Sequence, residues 1–140
     1  MNGLKLISVF ICGFLAAQLI KIIVAFIQKK ENLSEYIFKS GGMPSGHSAS
    51  LAALATYAGF LYGVDSNCFA LIICGAMIVV YDAVNVRYSV GEHGKFLKEL
   101  AKEKYLKWGN MRIVEGHTVL EVFAGILVGV LIGWAFFTIF

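Results

Sequence analysis

From His117 to Phe140 the chain reads HTVLEVFAGILVGVLIGWAFFTIF, a run with one carboxylate, Glu121, near its start. A helix needs about 20 apolar residues to cross the hydrocarbon of a bilayer, and this run has that length. Working back toward the amino end, three more apolar runs appear. Asn67 to Val86 forms one, a shorter one begins just after Pro44 and ends near Gly63, and Leu4–Ile27 is interrupted only by Gln18 and Lys21. Composition agrees, with 59% hydrophobic and 15% charged residues and a mean hydropathy of +0.76. A water-soluble domain of 140 residues cannot hide that much apolar surface, because small domains leave a large share of their atoms at the boundary. The expected fold is therefore all-α: an integral membrane helical bundle of about four transmembrane helices, in one domain spanning 1–140. Met1–Ile27 reads as a retained anchor, since its apolar stretch exceeds a signal-peptide core and no small-x-small cleavage site follows.

The connections are unequal. Gly63-Val64-Asp65-Ser66 is short enough to force an antiparallel helix hairpin, whereas Gln28–Met43 is a polar loop and Arg87–Gly116 a long one. In the long connection Phe96, Leu97, Leu100, Ala101, Tyr105 and Leu106 recur at three- and four-residue spacings among lysines. That pattern predicts an amphipathic helix lying on the membrane surface, with Trp108 as an interfacial anchor. The net charge of +3 is modest and sits outside the apolar runs, which suits anionic lipid headgroups and not nucleic acid. An even number of spans puts both polar loops on one side. They hold most of the lysines and arginines while the other side has Lys5, so the positive-inside tendency places them in the cytoplasm. Cys12, Cys68 and Cys74 all lie inside apolar runs, and they read as buried, unpaired thiols.

The chemistry concentrates in two strings on that shared side. The first is Gly41-Gly42-Met43-Pro44-Ser45-Gly46-His47-Ser48, which holds the only proline of the chain. Proline is favoured at a first helical position, and free backbone N–H groups at a helix amino end make an anion site. Gly46 would let the backbone approach the anion closely, with Ser45 and His47 beside it. The second string is Gly116-His117-Thr118-Val119-Leu120-Glu121, where His117 and Glu121 stand four apart on one helix face. A carboxylate bonded to one imidazole nitrogen fixes the tautomer and leaves the other nitrogen as a directed nucleophile.

Together these strings resemble the phosphatidic-acid phosphatase type 2 superfamily, which includes the vanadium-dependent haloperoxidases. Its three blocks are KxxxxxxRP, PSGH and SRxxxxxHxxxD. Pro44-Ser45-Gly46-His47 matches the second block in full, and His117 with Glu121 matches the end of the third, Glu replacing Asp. With Tyr81-Asp82-Ala83-Val84-Asn85-Val86-Arg87, the phrases are similar to the small divergent bacterial and plastid branch of that superfamily. The resemblance implies a membrane lipid-phosphate phosphatase, with His117 as nucleophile, Glu121 as its orienting partner and His47 as general acid and then base. Ser45 and the Gly46 backbone would hold the phosphoryl oxygens. It also implies a lipid-phosphate substrate and a bacterial cytoplasmic membrane, and the charge bias of the two polar loops predicts an active site on the cytoplasmic face. No cofactor or metal is called for.

Two departures leave the phosphate-binding cations open. The first block is missing, and four residues separate Arg112 from His117 where the family has five, with Met111 in the serine position. Arg87 is the first candidate because its planar fork suits phosphate; Lys21 is the second, and Arg112 the third. Asp82, inside an apolar run, is expected to pair with Lys21 or Arg87, since an unpaired carboxylate there is costly. Asn85 and Gln18 stand one turn from Asp82 and Lys21 respectively. Lys39 reads as a solvated loop charge and His93 as a bystander. Gly125, Gly129 and Gly133 form a small-residue stripe that serves either close packing on a neighbouring helix or a homodimer. The competing reading is a catalytically inactive lipid-phosphate-binding protein or scaffold; haloperoxidase activity fits poorly with membrane embedding.

Overall fold

A computed structural model describes residues 2–29, 42–105, 113–114 and 116–140. The described chain is an all-helical bundle: α1 (Asn2–Ile27), α2 (Gly46–Tyr62), α3 (Asn67–Tyr81), a π-helical turn (Asp82–Val86), α4 (Arg87–Glu103) and α5 (Val119–Ile139). Three helices are long and apolar enough to cross a membrane: Gly3–Ile27, the continuous helix Asn67–Glu103, and Val119–Ile139. The remaining one, α2, has 17 residues, about 25 Å of helix and the short limit for a span.

α2 is less apolar because its neighbours shield it. It packs against α1, α3 and α5, and its inward face is small: Ala49, Ser50, Ala53, Ala55 and Ala58 are all buried. Those residues meet the glycine stripe of α5. A side chain at Gly125, Gly129 or Gly133 would strike the Ser45, Ala49 or Ala53 carbonyls respectively, so the stripe is filled from within the chain. Of the two uses the sequence leaves open for the stripe, close packing on a neighbouring helix is the one seen within this chain. α1 also packs closely on α2, where a Cβ on Gly13 would lie 2.8 Å from the Ala49 carbonyl oxygen.

The apolar core lies away from the polar strings. Val9, Ala53 and Tyr57 form it, with Leu6, Leu54, Leu61, Ile132 and Phe136 packed around; the rings of Tyr57 and Phe136 meet edge to face at 5.5 Å. At that same end Lys5 Nζ donates to the Phe140 carbonyl at 2.6 Å. Gly63 turns α2 toward α3 with φ of 84°, a left-handed conformation that glycine adopts without strain, and Ser66 caps α3 by accepting from Phe69 N at 3.2 Å. Large apolar side chains including Leu4, Leu71, Met77 and Leu131 face outward. Buried polar residues, by contrast, are Lys21, Ser45, Ser48, Ser50 and His117. That inversion is expected where lipid is the solvent.

Two expectations change. The surface helix is not separated from the third span by a loop: α3 runs through the π turn into α4 as one helix of 37 residues. Nothing between Asp82 and Val90 is a glycine or proline, and the π turn absorbs the extra residue. At about 55 Å this helix outreaches the hydrocarbon thickness, so its charged half extends beyond it. The thiols are unpaired, but Cys74 is exposed, because α3 buries none of its residues. Trp108 and Leu106 lie outside the described residues.

Candidate active site

Ser45, not Pro44, begins α2. Its hydroxyl is the N-cap, accepting from Ser48 N at 3.4 Å and from the Ser48 hydroxyl at 3.0 Å. Proline sits one residue before the cap, and Gly46 takes the first helical position. Both bonds use the lone pairs of the Ser45 hydroxyl and leave its proton available as a donor. His47, on the first turn, is exposed, with the Phe14 ring of α1 edge-on at 6.4 Å.

His117 lies just before α5 and not on it. It reaches Glu121 because Thr118 and Glu121 form a reciprocal capping box. Thr118 Oγ1 accepts from Glu121 N at 3.3 Å, while Glu121 Oε2 accepts from Thr118 N at 2.9 Å. The same Oε2 is 3.2 Å from His117 Nδ1. Capping therefore fixes the carboxylate, and the carboxylate orients the imidazole with Nε2 left for other work. Thr118-x-x-Glu121 is the sequence signal for this box.

Two backbone bonds lock the strings together. Ser45 N donates to the Glu121 carbonyl at 3.0 Å, and His117 N donates to the Ala83 carbonyl at 3.0 Å. The first ties the Pro-Ser-Gly-His segment to the carboxylate residue; the second ties the histidine to the π turn. Gly116 makes the latter approach feasible, since a Cβ there would collide with Tyr88 N and with the Ala83 carbonyl. The π turn thus has a specific task, presenting a carbonyl to the loop that carries His117.

Electrostatics place four groups in one neighbourhood. Burial lowers the pKa of His117 below the ordinary histidine value. The Glu121 hydrogen bond and charge oppose that shift, and the positive charges of Lys21 and His47 add to it. Lys21, only 5% exposed on α1, is attracted by Glu121. It is no snorkelling surface charge. One turn before it, Gln18 has a buried side-chain oxygen with no partner among the described residues, the kind of unmet polar atom that a bound ligand or water would satisfy.

Other expected residues sit differently. Asp82 pairs with Arg87, Oδ2 to Nε at 2.6 Å, and Asn85 turns back to donate to the Tyr81 carbonyl at 3.3 Å. Arg112 falls outside the described residues. A cleft of about 230 Å³ beside His117 is lined by Val84, Tyr88, Thr118 and Val119. A second, of about 120 Å³ beside Glu121, is lined with Tyr88, Glu92, Lys95 and Gly42 among others. Among the described residues Arg87 lines neither cleft; α4 contributes Tyr88, Glu92 and Lys95 instead, which no sequence pattern singled out. No cluster of three or more acidic, histidine or cysteine side chains suited to a metal occurs among the described residues.

Residues 3–132 match the model of the family described as the Divergent PAP2 family. The chain belongs to the Divergent PAP2 family. The chain is also similar to the "Uncharacterized membrane protein YuiD" of Bacillus subtilis (strain 168), 31% identical, with the alignment covering 87% of each chain. No solved structure matches. Membership in the Divergent PAP2 family together with three apolar spanning helices makes the chain an integral membrane protein. Within this Divergent PAP2 chain the matched segment contains both histidine strings and the whole π turn.

Proposed function

We propose that this chain is a membrane lipid-phosphate phosphatase acting through a phosphohistidine on His117, with no metal in the reaction. The observation that carries the reading is the double use of Glu121. Its carboxylate stands 3.2 Å from His117 Nδ1, and its carbonyl accepts from Ser45 N at 3.0 Å. One residue thus registers the nucleophile candidate against the Pro-Ser-Gly-His segment.

The chemistry runs in two displacements. Neutral His117 attacks phosphorus through Nε2, the bond to the lipid oxygen breaks, and His47 gives that oxygen its proton. The lipid alcohol leaves. His47, now neutral, takes a proton from water, whose oxygen attacks phosphorus. The P–N bond breaks, its electron pair returns to His117 Nε2, and inorganic phosphate is released. The Ser45 O–H, the Gly46 backbone and Lys21 hold the non-bridging oxygens, with Gln18 one turn from Lys21, and Lys95 in the cleft beside Glu121; Arg87 and Arg112 are the further cations that the sequence offers. Suitable substrates are phosphomonoester or diphosphate lipids. The excess of lysines and arginines in the two polar loops supports a site on the cytoplasmic face of a bacterial cytoplasmic membrane.

Phosphate release from phosphatidate, phosphatidylglycerol phosphate and polyprenyl phosphates, measured in chelator, tests this. Release that vanadate inhibits and that His117→Ala and His47→Ala abolish is the expected result. A requirement for Mg²⁺ contradicts the mechanism. Binding retained in both variants without release from any lipid assigns the chain to the binding-protein alternative, which the missing KxxxxxxRP block favours.

A further inference from the structure

Along α2 the two seams with α5 and α3 leave an apolar groove between them, about 290 Å³ in volume. Its floor is α2, from Ser48 through Ala52 and Ala55 to Thr56; its walls include Ala76 of α3 and Ile126 of α5. The α5 wall stands close to α2 because glycine faces alanine there. The α3 wall stands off, since α3 buries no residue. Phe69 closes the far end, its ring lying against Gly59.

We infer that this groove holds the first stretch of one hydrocarbon chain of the lipid phosphate bound between His47 and His117. The groove begins beside the site. Ser48, at the groove's mouth, donates to the Ser45 hydroxyl at 3.0 Å, and Ser45 is bonded to Glu121. Thr56 stands eight positions after Ser48 on α2, about 12 Å along the helix axis. The groove therefore starts at the phosphate end and runs in the direction a lipid tail must take. Its lining is nearly all apolar, with Ser48 and Thr56 the polar residues. The inference rests on the proposed function in one respect: it needs a lipid phosphate at the site, but not its hydrolysis.

The test is photolabelling of the purified chain in phosphatidylcholine nanodiscs. Phosphatidate carrying a mid-chain diazirine is the probe, and diazirine-phosphatidylcholine is the reference. Phosphatidate should label α2 and α3 at the groove, and excess unlabelled phosphatidate should chase that label. Ala76→Phe, which fills the groove from a helix with no buried residue, should cut the label roughly tenfold, what excluding about two methylene groups is worth. Met77→Phe, on the outward face at 67% exposure, should leave it unchanged. Labelling indistinguishable from that of diazirine-phosphatidylcholine, or groove labelling that survives Ala76→Phe, overturns the inference. Groove labelling with no phosphate release from phosphatidate, phosphatidylglycerol phosphate or polyprenyl phosphates in the same nanodiscs sinks the phosphatase reading and leaves this one standing.

Discussion

The two long sides of α2 are built on opposite terms. On one, Gly125, Gly129 and Gly133 bring α5 against the α2 backbone. On the other, α3 leans on α2 without burying any residue of its own. Most strong links in the candidate active site lie at the tight side's head, namely the Ser45 cap, the Ser45–Glu121 bond and the Thr118–Glu121 box, while the His117 N–Ala83 bond ties the histidine to the π turn. The groove lies on the loose side. Orienting a nucleophile tolerates only fractions of an ångström, whereas holding a hydrocarbon chain needs space and apolar walls. The contrast teaches that small residues serve two purposes on one helix, close approach on one face and vacancy on the other.

Breaking the tight side's polar head should cost most. Glu121→Gln keeps the shape but loses the carboxylate that fixes the His117 tautomer, so kcat should fall by about 10² to 10⁴, read as phosphate release, with thermal stability nearly unchanged. Next comes the apolar part of that seam. Gly129→Leu would drive a side chain into the Ala49 carbonyl and Ala52 Cβ. It should destabilise the bundle by about 1–3 kcal/mol or more, seen as a lower melting midpoint in detergent. The matching insertion on the loose side, Ala76→Leu, should change stability by no more than about 0.5 kcal/mol. If both cost the same, the contrast between the seams fails.

A smaller effect sharpens the electrostatic side. His117 must be neutral to attack, and burial depresses its pKa. The acid limb of kcat/KM should therefore lie below the ordinary histidine value of about 6.5. Glu121 opposes that depression, so in Glu121→Gln the residual activity should show a limb moved to still lower pH. A limb that moves upward would mean Glu121 does not act on His117. Smallest of all, Asp82→Asn removes a half-exposed ion pair with Arg87, and its stability cost should stay under about 1 kcal/mol.

Much of this was legible before any coordinates. Apolar length alone located α1, α2, α3 and α5 to within a few residues, since lipid exposure demands long apolar helices. The conjunction of His47 with His117 and Glu121 came from motif order. What stayed hidden depended on register and on backbone. The polar letters of Arg87–Lys95 read as a loop, yet a π turn carries α3 straight into α4. For that reason Tyr88, Glu92 and Lys95 came to line the cleft unannounced. The glycine stripe announces a close partner but not which one, because a neighbouring helix and a second copy present the same small faces. His117 was assigned to the helix, whereas the cap residue Thr118 places it one step outside.

The central claim is that His117 becomes phosphorylated while His47 completes the turnover. Incubating His47→Ala with radiolabelled lipid phosphate, quenching in alkali and mapping the peptides measures this directly. The account predicts acid-labile, alkali-stable label on His117 that forms slowly in His47→Ala, because His47 also protonates the leaving oxygen, persists because water is not activated, and is absent from His117→Ala. Label on another residue, or phosphate release by the wild-type chain with His117 never modified, would contradict it.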